Sequence, residues 1–79
     1  MQTKRLLLRA GYQSEFEERT ADGRDIATVT QDTVVTVEWW AASWWRTVGP
    51  VAGFPDCPPI QVEMDPAHMD REHVQELDG

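Results

Sequence analysis

Apolar and polar side chains alternate along much of the first thirty residues, which is the pattern of strands with one buried face. Residues 4 to 10 suit a first strand, and Gly11 then permits a bend. One face of a second strand would carry Tyr12, Ser14, Phe16 and Glu18. The Asp22-Gly23 step favours a tight turn, and the β-prone residues 25 to 30 follow it. This part of the chain therefore predicts an antiparallel hairpin.

In the middle of the chain the spacing of apolar residues changes to that of a helix. Apolar residues recur at positions i, i+3, i+4, i+7, i+8 and i+11, namely Val37, Trp40, Ala41, Trp44, Trp45 and Val48. Gly49 and Pro50 provide a stop after this stripe. The pattern predicts a helix over residues 39 to 48, with Trp40, Trp44 and Trp45 in the core. Residues 33 to 37 stay open between a third strand and the start of a longer helix capped by Asp32.

The last third of the chain combines a proline-rich loop with two short elements. Four prolines between residues 49 and 59 predict an irregular loop, and residues 60 to 64 alternate as in a short strand. Asp65 and Pro66 resemble a helix start, after which Met69, His73 and Leu77 recur at four-residue intervals. The predicted fold is α+β: a small antiparallel sheet built on the N-terminal hairpin, packed by a tryptophan-rich helix, with a short C-terminal helix.

Length and composition limit this fold to one core. A chain of 79 residues, of which 41% are hydrophobic, predicts a single domain over residues 1 to 79. Cys57 is the one cysteine, so no disulfide can form within the chain, and a reducing cytoplasm is the expected location. The N-terminal apolar run is too short for an export signal, and no run approaches the roughly 18 residues of a membrane span.

Negative charge is the strongest compositional feature. Fourteen acidic residues against seven basic ones give a net charge of -7, which repels nucleic-acid phosphates and anionic lipids and favours a basic protein surface as partner. The candidate partner-binding acids fall into a hairpin group, Glu15, Glu17, Glu18, Asp22 and Asp25, and a C-terminal group, Asp70, Glu72 and Glu76. The alternative is that these carboxylates form only a solubilising shell.

Trp39 is the remaining candidate for partner binding. On the predicted helix it lies opposite the apolar stripe, near Arg46. An exposed indole beside an arginine is enriched at the energetic centres of protein interfaces. Packing of Trp39 under the proline-rich loop is the alternative.

Residues able to support catalysis or metal binding do not form a recognisable constellation. His68 and His73 would lie about 140° apart around a helix, so they do not share a metal-binding face. Cys57 is followed by two prolines, which argues against an activating helix start and predicts a small buried or semi-buried thiol. The five glycines lack the spacing of a phosphate-binding loop. The sequence therefore predicts neither an enzyme nor a metal or cofactor site.

One compact domain with a single lysine, Lys4, strong acidity and no catalytic signature resembles the small phage-encoded inhibitors of bacterial defence, in particular anti-CRISPR proteins. This resemblance is one of type and carries no shared motif. It implies a Cas protein or CRISPR-Cas complex as partner, blocked where it engages guide RNA or target DNA in the bacterial cytoplasm. The inhibitor would be a monomer or homodimer. The alternative is a structural subunit of a virion or another multiprotein complex.

Overall fold

The computed structural model describes residues 2 to 54 and 58 to 77. Within these ranges the chain forms strands and turns and no helix. The strands are β1 (Thr3–Leu8), β2 (Gln13–Glu15), β3 (Ile26–Thr28), β4 (Thr33–Ala41), β5 (Trp44–Val48), β6 (Gln61–Glu63) and β7 (Val74–Leu77). A curled antiparallel sheet has the order β6-β5-β4-β1-β7, and β2 and β3 form a separate hairpin.

The concave side of the sheet and the β2–β3 hairpin enclose the core. Alternate residues of the central strands are buried, as the two-residue period of a strand requires, for example Leu6 and Leu8 on β1. The other buried apolar residues are Tyr12, Phe16, Ala27, Val29, Val35, Val37, Trp45, Val51, Phe54, Ile60, Val62 and Val74. A backbone bridge between Phe16 and Ile60 attaches the hairpin to the sheet beside β6.

The predicted N-terminal hairpin and the two predicted strands that flank the middle of the chain are present. Gly23 has φ +87°, a conformation that glycine adopts without steric cost, and Thr20 and Arg24 close the turn with a backbone hydrogen bond of 2.9 Å. β1 and β6 lie within the segments 4 to 10 and 60 to 64 apart from Thr3. Turn chemistry and alternation therefore located these elements correctly.

The α+β prediction and its tryptophan-rich helix over residues 39 to 48 are wrong. The described fold is all-β, and this segment is the hairpin of β4 and β5. The undecided residues 33 to 37 belong to β4, whose alternation buries Val35 and Val37 and continues on β5 with Trp45 and Thr47. A turn at Ala42 and Ser43 reverses the chain, so the three- and four-residue spacing of the tryptophans arises from two strands.

The predicted C-terminal helix is also wrong. Residues 65 to 73 form successive turns, in which the Asp65 carbonyl accepts the amides of His68 and Met69. The chain then extends as β7 along β1, with Val74 opposite Leu8. The four residues of β7 thereby pair with the edge of β1, which would otherwise be open. A thinly apolar isolated helix would be less stable than this pairing.

The described ranges contain no helix that could span a membrane.

Candidate functional site

Three of the four tryptophans are exposed around one turn. The tryptophan hairpin, defined here as residues 39 to 45, exposes Trp39 by 49%, Trp40 by 40% and Trp44 by 36%, whereas Trp45 is only 7% exposed and belongs to the core. The prediction that Trp40 and Trp44 are core residues is therefore wrong. The exposure of Trp39 agrees with the first of its two interpretations, although Trp39 lies on a strand.

A β-bulge causes this concentration of exposed indoles. Trp39 pairs with Trp45, but the next pair joins Ala41 to Trp44, so one extra residue, Trp40, is inserted into β4. An inserted residue interrupts the alternation of faces and redirects side chains near it. Trp40 and Ala41 consequently both lie across from Trp44, at the end of the sheet.

Hydrogen bonds within the hairpin hold its turn and one of its indoles in place. The indole Nε1 of Trp39 donates to the carbonyl of Ala42 at 2.8 Å, and the Trp39 amide donates to the carbonyl of Gln2 at 3.1 Å. The polar atom of the Trp39 ring is thus satisfied by its own chain. The exposed remainder of that ring is apolar and has a fixed orientation, which is the property of a preorganised contact residue.

The tip of the hairpin is attached to the end of β6. The Met64 amide donates to the carbonyl of Ser43 at 2.9 Å, and the Ser43 hydroxyl donates to Oε1 of Glu63. The same Oε1 atom accepts the amide of Asp65 at 2.9 Å. Glu63 is also the direct cross-strand partner of Trp44, so a carboxylate with a restricted orientation lies next to an exposed indole.

Arg46, which follows the tryptophan hairpin on β5, connects this part of the sheet to the N-terminal hairpin. Its guanidinium donates to Glu17 at 2.6 Å and to Glu38 at 2.8 Å, and each of these side chains is partly buried. Hydrogen bonds to Glu17, and then to Glu38, raise the pKa of Arg46 above its ordinary value. Of the predicted hairpin group, Glu17 is the acid that Arg46 holds beside the tryptophan hairpin.

Two of the other four acids of the predicted hairpin group are paired locally. Asp25 lies 2.9 Å from Arg19, and Asp22 lies 3.1 Å from Arg24. Hydrogen bonds from Thr20 and then Arg24 lower the pKa of Asp22. Within the described part of the chain, the carboxylates of this group without an ion pair are those of Glu15 and Glu18.

Of the predicted C-terminal acids, Asp70 and Glu72 lie away from the tryptophan hairpin. Glu76 pairs with Lys4 at 3.0 Å, and Oδ2 of Asp70 lies 2.8 Å from Nδ1 of His73. Glu72 is exposed in the turn before β7, and that turn meets the Leu8 end of β1. Trp39 adjoins the opposite end of β1 through its bond to Gln2. The structure thus separates Asp70 and Glu72 from the tryptophan hairpin by the length of β1, whereas Glu76 lies near Trp45 through their shared contact with Lys4.

The two histidines are held by neighbouring aspartates. His68 lies 3.1 Å from Asp65, and His73 contacts Asp70 as described above. The Ala67 amide, and then His68, lower the pKa of Asp65 by hydrogen bonding. No group of three His, Cys, Asp or Glu side chains with metal-binding geometry occurs in the described ranges. The prediction for Cys57 falls outside these ranges.

Sequence reasoning identified Trp39 but missed Trp40, Trp44 and Glu63. The alternation of Val35, Val37 and Trp39 was the available signal for a strand. It competed with the helical spacing of the apolar residues from Val37 to Val48. Comparison of the chain with known proteins finds no matching family model, curated protein or solved structure.

Proposed function

We propose that this protein acts by binding another protein through its tryptophan hairpin, as an inhibitor that occupies a basic surface of a larger complex. The observation that carries the proposal is the exposure of three indoles on one turn held by internal hydrogen bonds. Tryptophan is enriched at the centres of protein interfaces because it covers a large area with few rotatable bonds. The Trp39 ring, which its bond to Ala42 already holds in place, loses little side-chain entropy on binding.

Charge determines the kind of surface that this hairpin would meet. The net charge of -7 attracts a basic partner surface and accelerates its encounter with the protein. Glu15 and Glu18, which have no ion pair within the described residues, would contribute to that attraction. The resemblance to anti-CRISPR proteins makes a Cas protein, at a surface that holds nucleic acid in the bacterial cytoplasm, the first partner to test.

Capture from bacterial lysate by the immobilised protein tests the proposed contact surface. We expect a nucleic-acid-handling protein to be retained by the natural chain and lost when Trp40 and Trp44 are both replaced by serine. The matched control replaces Ile26 and Val34, which are 49% and 50% exposed away from the hairpin, by serine. Retention that does not depend on the tryptophans, or that is lost equally in the control, contradicts the proposal.

A structural subunit is the second candidate function, because the outer face of the sheet also exposes apolar residues. Val34 and Val48 are 50% and 47% exposed, and Leu7 lies opposite Val34 on the same face. In a stable assembly this face would be covered by another chain. The two functions differ in salt dependence: capture through a basic surface weakens as sodium chloride is raised, whereas assembly through apolar faces does not.

A further inference from the structure

Trp44 and Glu63 form an indole and carboxylate pair on the outer face of the sheet. They are direct cross-strand partners, which places their Cβ atoms about 5 Å apart and directs both side chains to the same face. Trp44 is 36% exposed, and Glu63 is partly buried. An aromatic face and a carboxylate at this separation are the two groups that together attract a cationic side chain.

Within the described residues, one oxygen of the Glu63 carboxylate accepts hydrogen bonds and the other does not. Both of its hydrogen bonds, from the Ser43 hydroxyl and from the Asp65 amide, meet Oε1. Among the described residues, Oε2 has no hydrogen-bond donor and no cation within ion-pair distance. Arg46, the cation nearest in register on this face, is engaged by Glu17 and Glu38. Glu63 therefore presents a fixed acceptor atom beside an exposed ring.

The inner face of the same sheet contains an occupied version of this pair. The ammonium of Lys4 lies 5.0 Å from the ring centroid of Trp45 and 3.0 Å from Oε1 of Glu76. Trp45 and Glu76 thus share one cation, the ammonium of Lys4, which belongs to the chain itself. On the outer face, the corresponding indole and carboxylate are Trp44 and Glu63.

We propose that Trp44 and Glu63 form a receptor for an arginine side chain of the partner protein. The planar guanidinium stacks on the indole while one of its N–H groups donates to Oε2 of Glu63. Arginine suits this site better than lysine because its cation is flat, weakly hydrated and able to stack while it donates sideways. The inference rests on the proposed function and specifies which chemical group of the basic partner surface the hairpin recognises.

Titration of the full chain with short capped peptides tests the receptor. The probes are tetra-arginine, tetra-lysine and tetra-citrulline, in which the last is the neutral isostere of arginine. Binding is followed through the indole N–H signals in ¹⁵N NMR spectra, with the Trp44 signal assigned from Trp44→Phe. We expect tetra-arginine to shift the Trp44 signal and to bind several-fold more tightly than tetra-lysine. Equal affinity for tetra-lysine or tetra-citrulline overturns the assignment.

Two substitutions that change the net charge by the same amount distinguish a specific arginine receptor from general electrostatic attraction. Glu63→Gln removes the charge but keeps an acceptor for Ser43 and Asp65, and we expect it to weaken tetra-arginine binding about tenfold. Glu72→Gln changes the net charge by the same amount at an exposed turn, and we expect less than about a twofold effect. Equal losses in the two variants would mean that only overall charge is sensed. Unchanged amide signals of the core residues Leu6 and Leu8, which lie away from the substitution, verify that Glu63→Gln is folded.

The same variants distinguish failure of this inference from failure of the proposed function. If Glu63→Gln retains the captured partner while Trp40→Ser with Trp44→Ser loses it, the hairpin is the contact surface and the arginine receptor is refuted. If the tryptophan substitutions leave capture unchanged, the proposed function is refuted. In that case peptide titration still decides whether Trp44 and Glu63 bind arginine.

Discussion

At the scale of single residues, Tyr12 combines burial with an ionisable group. It is the one tyrosine of the chain and is 4% exposed, and its hydroxyl donates to the carbonyl of Gln61 at 3.3 Å. Burial raises the pKa of the Tyr12 hydroxyl above its ordinary value, and the charges of Asp70 and Glu63 act in the same direction. A hydrogen bond with Ser14 opposes them in part.

This shift predicts a loss of stability at alkaline pH. Above a pH of about 10 the unfolded chain releases the tyrosine proton while the folded chain retains it, so the free energy of unfolding falls as pH rises. Below that pH the contribution is present in full. Urea unfolding measured between about pH 8 and pH 11 should show this decline in the natural chain and a shallower one in Tyr12→Phe. Every other ionisable side chain is the same in the two proteins, so parallel curves would contradict the assignment to Tyr12.

At the scale of elements, the turn of the tryptophan hairpin contains a residue, Ala42, in an unfavourable backbone conformation. Ala42 has φ +51°, a conformation that favours glycine because a Cβ atom then approaches the backbone. Two-residue hairpin turns commonly have glycine where their first φ is positive. The hairpin is therefore held against local preference by its contacts to Gln2, Met64 and Glu63.

Replacement of this alanine should stabilise the protein. We expect Ala42→Gly to raise the free energy of unfolding by about 0.5 to 1 kcal/mol, because relief of the steric cost exceeds the added flexibility of the unfolded chain. The matched control, Ala41→Gly at the end of β4, should lower it by a similar amount. Thermal unfolding measures both. A loss of stability in Ala42→Gly would show that the strain at this turn is absent.

The same turn explains which elements were predictable from sequence. Asp22 and Gly23 mark their hairpin by local chemistry alone, because the required backbone conformation is intrinsic to those residues. Ala42 and Ser43 carry no such signal, and the tryptophans around them fit a helical spacing as well as a strand pair. Where local signals are ambiguous, the pairing of β4 with β1 and β5 decides the structure, and that pairing is long-range information.

The candidate site likewise combines features that the sequence indicates with features that only the long-range strand pairing determines. The exposure of Trp39 was among the interpretations of the sequence, whereas the juxtaposition of Trp44 and Glu63 depends on the register between β5 and β6. Arg46 likewise joins Glu17 to Glu38 although Glu17 is 29 residues away in sequence. Net charge follows from composition alone. Which carboxylates remain without partners follows only from the fold.

At the scale of the whole molecule, negative charge opposes the tendency of exposed tryptophans to associate. A net charge of -7 repels a second copy near neutral pH, although three indoles are exposed on each molecule. This repulsion disappears near pH 4.5, where the positive and negative charges of the chain balance. The indoles do not titrate, so their attraction persists when the repulsion is lost.

We therefore expect the protein to self-associate reversibly near pH 4.5 through the tryptophan hairpin. Static light scattering should show a higher mean mass at that pH than at pH 7, with a return on neutralisation. The variant Trp40→Ser with Trp44→Ser should remain closer to its neutral-pH mass, whereas Ile26→Ser with Val34→Ser should behave like the natural chain. Far-ultraviolet circular dichroism verifies that the fold survives at pH 4.5. Association that is equal in both variants would assign it to charge loss alone, because the hairpin would then contribute no attraction of its own.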